Sequence, residues 1–201
     1  YIDYSSANFN EIIVDWRIIR DIESATAFAR ALTETPLTFE RRTSISDGLE
    51  MAARMIESNQ YLGTRRVIDV AGDRPNKHGR LVEDVRDDII AKGISINGLP
   101  IINDGNEGFA SQFSIRDLDN YYRGCVIGGR GAFIVVAKNF PDFARAIRRK
   151  LIFEIAFGGG APELLHRVQG GRHAFGGYVY KPGCDIGERL WRRRFSDPDN
   201  F

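Results

Sequence analysis

The chain has 201 residues, 43 % hydrophobic and 27 % charged, which suits one globular domain with a real core and argues against disorder over most of its length. The formal net charge of +1 offers no excess of either sign to nucleic acid or to an anionic membrane surface. The longest apolar runs, such as residues 132–137, fall far short of the roughly 20 residues that a membrane helix needs.

The first residues, Tyr1-Ile2-Asp3-Tyr4, already read as a strand. The chain does not open on Met, so a loss at the N-terminus is expected, and the lack of a signal peptide says nothing. Residues 11–19 (EIIVDWRII) are rich in β-branched and aromatic types and predict a second strand, paired with the first as a hairpin. Asp21 is the natural N-cap of a helix over 22–33, in which Ile22, Ala25, Phe28, Ala29 and Leu32 recur at helical spacing. The clearest helix covers 44–58. There Ile45, Leu49, Ala52, Ala53 and Ile56 make one apolar stripe, and Ser44 with Asp47 fits a capping box.

Residues 65–70 (RRVIDV) predict a short strand that runs into Ala71-Gly72-Asp73-Arg74-Pro75-Asn76, a loop of turn formers. A helix over 81–92 closed by Gly93, a strand over 94–102, a polar loop over 103–114, a helical turn near 117–123 and a strand over 131–137 follow. Asn139 caps the last predicted helix. Its buried face is expected to carry Phe140, Phe143, Ala144, Ile147, Leu151 and Ile155, with Arg145, Arg148, Arg149 and Lys150 on the wet side. After Phe157 no apolar period persists, and residues 158–201 are expected to form a poorly ordered tail behind a domain spanning 1–157. Alternating strands and helices from residue 65 onward predict an α/β fold, a Rossmann-like, doubly wound and mostly parallel sheet with an antiparallel edge.

Cys125 and Cys184 are the only two cysteines. Nothing forbids their pairing, but one distant pair is no disulfide framework, and the reading taken is two unpaired thiols with Cys125 buried. The three histidines, His78, His166 and His173, form no Cys/His cluster, so zinc is not expected.

In open α/β sheets ligands bind at the C-terminal ends of the strands. Two loops bring oxygen-bearing residues there: Arg42-Thr43-Ser44-Ile45-Ser46 and Gly72-Asp73-Arg74-Pro75-Asn76. A hydroxyl and a carboxylate at neighbouring strand ends suit a hard cation such as Mg²⁺, although a helix cap and a turn residue account for each one singly.

The run Arg41-Arg42-Thr43-Ser44-Ile45-Ser46-Asp47-Gly48-Leu49 resembles the threonine loop and following helix of von Willebrand factor A domains. Residues 66–76 (RVIDVAGDRPN) resemble that fold's strand and aspartate loop. The chain is also similar, over about residues 1–157, to a family of uncharacterised, mostly proteobacterial proteins of this fold, through residues 63–70 (GTRRVIDV), 94–101 (ISINGLPI), 121–129 (YYRGCVIGG) and 143–151 (FARAIRRKL).

The resemblance implies a non-enzymatic binding module with a metal-ion-dependent adhesion site. Thr43 and Asp73 stand at the family's threonine and aspartate positions, Mg²⁺ or another divalent cation is the cofactor of the intact domain, and an acidic group of a protein partner completes the shell. The family's Asp-x-Ser-x-Ser loop has no counterpart here, and Arg74 stands where the family usually has Gly. A remnant site without useful metal affinity is therefore expected. The resemblance also implies a central first strand that this chain lacks, so that the sheet must close the gap or leave strand groups unpaired. It further implies export to the bacterial periplasm or beyond.

Two other readings stay open. A hydrolase or phosphotransferase would use Asp69 and Asp73 at a strand end, or Cys125 as nucleophile. Neither a phosphate loop nor a nucleophile elbow is present, and Gly128-Gly129-Arg130-Gly131 reads as a plain turn. A metal-independent interaction module would use the loop over 103–114, with Phe109 and Phe113.

Overall fold

The computed structural model describes residues 1–5, 10–35, 43–102, 114–156 and 178–195. The opening hairpin forms. β1 (Ile2–Tyr4) pairs antiparallel with β2 (Asn10–Ile12), with Ile2 opposite Ile12. The strand predicted over 11–19 stops at Ile12, because among the described residues no strand lies alongside residues 15–20. Strand propensity is expressed only where a cross-strand neighbour exists.

α1 (Ile22–Glu34) is capped as expected: the Asp21 carboxylate accepts from the Ser24 amide at 2.8 Å, and Ser24 closes the box on the Asp21 amide. None of its residues is buried. α2 (Ile45–Ser58) begins on Ser44, whose hydroxyl accepts from the Asp47 amide. Its stripe does face a core, with Ile45, Leu49 and Ala53 each no more than 2 % exposed.

β3 (Val67–Gly72), α3 (Val82–Ala91) and β4 (Ser95–Pro100) form a parallel crossover unit, with Ile68 beside Ile96. Even-numbered β3 residues Ile68 and Val70 meet Ile45, Leu49, Val85 and Ile89 on the α2–α3 side. On the other face Leu99 and Ile101 join Phe133, Val135 and Ala146, the last from the helix over Phe140–Ala156. Helices thus cover both faces of the β3–β4 pair. The strand predicted over 131–137 touches β4 only at bridges from Ile134 to Gly98 and from Ala137 to Ile101. The architecture is mixed α/β with two two-stranded sheets, β1–β2 and β3–β4.

The short helix α4 (Leu118–Tyr121) runs into a π-helical turn over Tyr122–Val126. α5 (Phe140–Ala156) is capped by Asn139, which accepts from the Asp142 amide at 2.8 Å. Its buried face differs from the predicted one. Leu151 and Ile155 are exposed, whereas Ala146 and Lys150 are buried. The Lys150 ammonium meets the carboxylates of Asp69 and Glu154 and lies over the Phe133 ring. An apolar-period argument places every lysine on the wet side. Here two carboxylates and an aromatic face make burial of this one tolerable.

The C-terminal expectations also need correction. Residues 178–195 are ordered against the domain rather than forming a loose tail. Tyr180 is buried edge-on to Tyr121, and α6 (Ile186–Phe195) follows. The remainder of the predicted tail lies outside the described residues. Cys125 and Cys184 are not free thiols: they form a disulfide, with Cα atoms 5.4 Å apart. Cys125 is fully buried, as expected, but as half of a cross-link, which removes it as a candidate nucleophile in this state.

β1 and β3 are not paired. Bonds from the Ser95 amide to the Arg66 carbonyl and from the Ile101 amide to the Gly72 carbonyl set the phase of the β3–β4 ladder. In a parallel ladder this leaves the main-chain groups of Val67, Asp69 and Ala71 on the opposite edge. Among the described residues, the Ala71 carbonyl there is satisfied, by the Tyr4 hydroxyl at 2.7 Å, and no other partner meets that edge. An apolar trough of about 370 Å³ separates the two strands, lined by Ile2, Val14, Trp16, Leu49 and Val67 among others. Of the two expected outcomes, closure by β1 or an unpaired edge, β1 does not close the gap, and among the described residues no strand pairs with that edge.

Candidate binding rim

Three segments meet at the C-terminal end of β3. Ser44 at the start of α2 donates its amide to the Ser5 carbonyl at 2.6 Å, and Lys77 donates its amide to the Thr43 carbonyl at 3.0 Å. The end of β1, the threonine loop and the loop over 73–78 are thereby tied together. Gly72 is required at this junction: a β-carbon there would stand 2.6 Å from the Tyr4 hydroxyl and 2.9 Å from that of Tyr122.

Thr43 is half-buried, and its hydroxyl makes no hydrogen bond among the described residues. The Asp73 carboxylate is one-third exposed, with the Arg74 Nε 3.8 Å away. Lys77 is only 4 % exposed. Burial first, and then the Arg74 guanidinium, pull its ammonium down to about 7, against the opposing pull of Asp73. Burial also holds the Tyr4 and Tyr122 hydroxyls firmly protonated, and the Asp73 charge adds to this.

The predicted loops therefore do come together, but with a donor set that does not fit a divalent cation. Mg²⁺ and Ca²⁺ take several oxygen ligands, with carboxylates supplying the charge. Of the two predicted ligands, Asp73 supplies one carboxylate and Thr43 one hydroxyl, beside the Arg74 guanidinium, which repels any cation. Among the described residues no three His, Cys, Asp or Glu side chains are grouped to hold a metal.

Asn76, which carried no role in the sequence reading, organises the rim. Its side-chain oxygen accepts from the Ser46 amide at 3.1 Å, and its Nδ2 lies within hydrogen-bonding distance of the His78 and Arg80 carbonyls and of Glu188 Oε1, the last at 2.8 Å. Its own amide donates to the Tyr121 hydroxyl. Gly187 of α6 packs so closely that any β-carbon would overlap the Asn76 carbonyl. The only sequence signal for this hub was an Asn after Pro in a turn, and that pattern is common.

Burial raises the half-buried Glu188 carboxyl above its ordinary value, with Asp185 adding to the shift and Asn76 and Arg192 opposing it. A carboxyl raised in the folded state favours folding while protonated. That advantage fades as pH rises from about 4.5, the ordinary value, through the raised one. Glu188→Gln is therefore expected to be more stable than the wild type at pH 7 and equal to it at pH 4. Parallel thermal melts at the two pH values check this, and a variant less stable at pH 7 would show that the Glu188 charge helps the fold.

Asp69, the carboxylate of the enzyme reading, faces α5 and is held by Lys150, and Asn97 donates to it at 3.3 Å. It points away from the α2–α3 side on which Ile68 and Val70 pack. The Gly128–Gly131 stretch forms a turn. The loop residues Phe109 and Phe113, and His166 and His173, lie outside the described residues.

No curated protein and no solved structure matches the chain. A family profile described as "Protein of unknown function (DUF1194)" matches residues 1–158. That span takes in both strand pairs, the rim loops and α5, and ends before Tyr180, Cys184 and α6. The chain thus belongs to the DUF1194 family of proteins of unknown function.

Proposed function

We propose that the chain is a non-enzymatic binding module of Rossmann-like, von Willebrand factor A-like type, which engages an acidic group of a protein partner at the rim of Thr43 and Asp73. The observation that carries this reading is the Lys77–Thr43 main-chain bond. It holds the hydroxyl-bearing and carboxylate-bearing loops side by side at a strand end, where α/β sheets place their ligands. The parallel β3–α3–β4 unit, with helices on both faces, supports the fold assignment. Thr43 and Asp73 are the remnant of an adhesion-type metal site. The disulfide suits an oxidising compartment such as the periplasm.

Isothermal titration with Mg²⁺ or Mn²⁺ is expected to show no binding in the micromolar range. Micromolar affinity would overturn the remnant character of the site. Turnover of a phosphate or ester substrate that is abolished by Asp69→Asn would move the chain to the enzyme class.

A further inference from the structure

We propose that the rim takes a partner's carboxylate directly, without a divalent cation, through the guanidinium of Arg74. This inference rests on the binding-module reading and supplies its recognition chemistry. A guanidinium is a planar fork of donors that matches a carboxylate bidentately. Arg74 is placed to use that fork. Among the described residues its one ion pair is the 3.8 Å approach of Nε to Asp73, too long for a hydrogen bond, and its side chain is one-quarter exposed. No hydrogen bond among the described residues occupies its terminal nitrogens.

The surroundings suit an incoming anion better than an incoming cation. Asp73 contributes one negative charge and Arg74 one positive charge, and the buried Lys77 lies close enough to act on both. The Thr43 hydroxyl, without a hydrogen bond among the described residues, is a further donor on the adjoining loop. Asp73 keeps the role of an orienting group: its charge holds the Arg74 side chain over the rim, so less freedom is lost on binding. In place of a cation bridging two carboxylates, a side-chain cation already in the chain bridges Asp73 to the partner.

The test is a nuclear magnetic resonance titration of the full chain with tri-glutamate peptide, following the amides of Thr43, Gly72 and Arg74 and the Nε–H of Arg74. It is run once with chelator and once with Mg²⁺. Saturable shifts at these positions are expected with chelator present, unchanged by Mg²⁺, and absent with tri-glutamine. Arg74→Gly is expected to weaken binding about tenfold, the equivalent of one charged hydrogen bond. Arg74→Lys, which keeps the charge and the fold but not the fork, is expected to fall between.

Rim shifts that need Mg²⁺, or that survive Arg74→Gly and Arg74→Lys undiminished, would overturn direct recognition and leave the binding rim standing. Equal shifts with tri-glutamine would also overturn it, since the carboxylate would not be what is read. No rim shift under either condition would remove both the inference and the reading beneath it.

Discussion

Replacing Cys125 and Cys184 together by alanine is expected to cost the fold roughly 4 kcal/mol, from the chain entropy of a loop closed across 59 positions. For a chain of this size that lowers the melting temperature by roughly 10 °C. The cross-link joins the π-helical turn over Tyr122–Val126 to the segment leading into α6. Two weaker contacts act in parallel: the Tyr180 hydroxyl donates to Asp117 at 2.9 Å, and Asn76 donates to Glu188. Without the disulfide, these bonds and the packing of Tyr180, Ile186 and Gly187 must hold residues 178–195. Urea denaturation of the oxidised protein, the phosphine-reduced protein and the double variant checks this. The last two curves should coincide well below the first. Three superimposable curves would mean that the cross-link contributes nothing to the stability of the domain.

Asn76→Ala is expected to destabilise the chain by about 3 kcal/mol, because it strands several buried groups at once. The Ser46 amide and the Arg80 carbonyl lose the Asn76 side chain as partner, and Glu188 loses its donor. The His78 carbonyl keeps the Ser44 hydroxyl at 2.9 Å, which limits the loss. Asn76→Asp separates packing from hydrogen bonding, since it retains the oxygen that accepts from Ser46. It also sets a second carboxylate against Glu188, so its deficit should be large at neutral pH and shrink as the pair takes up a proton on acidification. Denaturation midpoints at pH 7 and pH 4.5 decide the matter. An Asn76→Asp deficit that does not change with pH would show that the two side chains are not coupled.

These two predictions concern the same structural fact. The family match ends at residue 158, yet the rim within that match is buttressed from outside it by Glu188, Gly187 and Cys184. The candidate site is therefore expected to respond to changes in the C-terminal segment. Nothing in the local sequence of the rim loops announces that dependence.

What the amino-acid order determined by itself is the local layer of the fold. Asp21, Ser44 and Asn139 mark helix starts because a short polar side chain reaches the amide three residues ahead, wherever the helix later docks. The α2 stripe and the β3 and β4 segments were legible for a similar reason: helical spacing and β-branched runs are properties of a dozen neighbouring residues. The meeting of the Thr43 and Asp73 loops was expected from the alternation of strands and helices, which places both at strand ends, and the Lys77–Thr43 bond joins them.

What only the tertiary structure decided lies between residues far apart in the chain. Lys150 turned inward because Asp69, some eighty positions earlier, and Phe133 across the sheet receive it, so the phase of α5 could not be taken from its apolar residues alone. Cys125 found Cys184, and Asn76 found Glu188, through a C-terminal segment that has no sustained period to signal burial. Strand-like residues 15–20 stayed without a strand because among the described residues no edge lay beside them. A periodic pattern reports that one side of an element prefers to leave water; it does not say which distant group will cover it, and the covering group sets which charges, thiols and amides become buried.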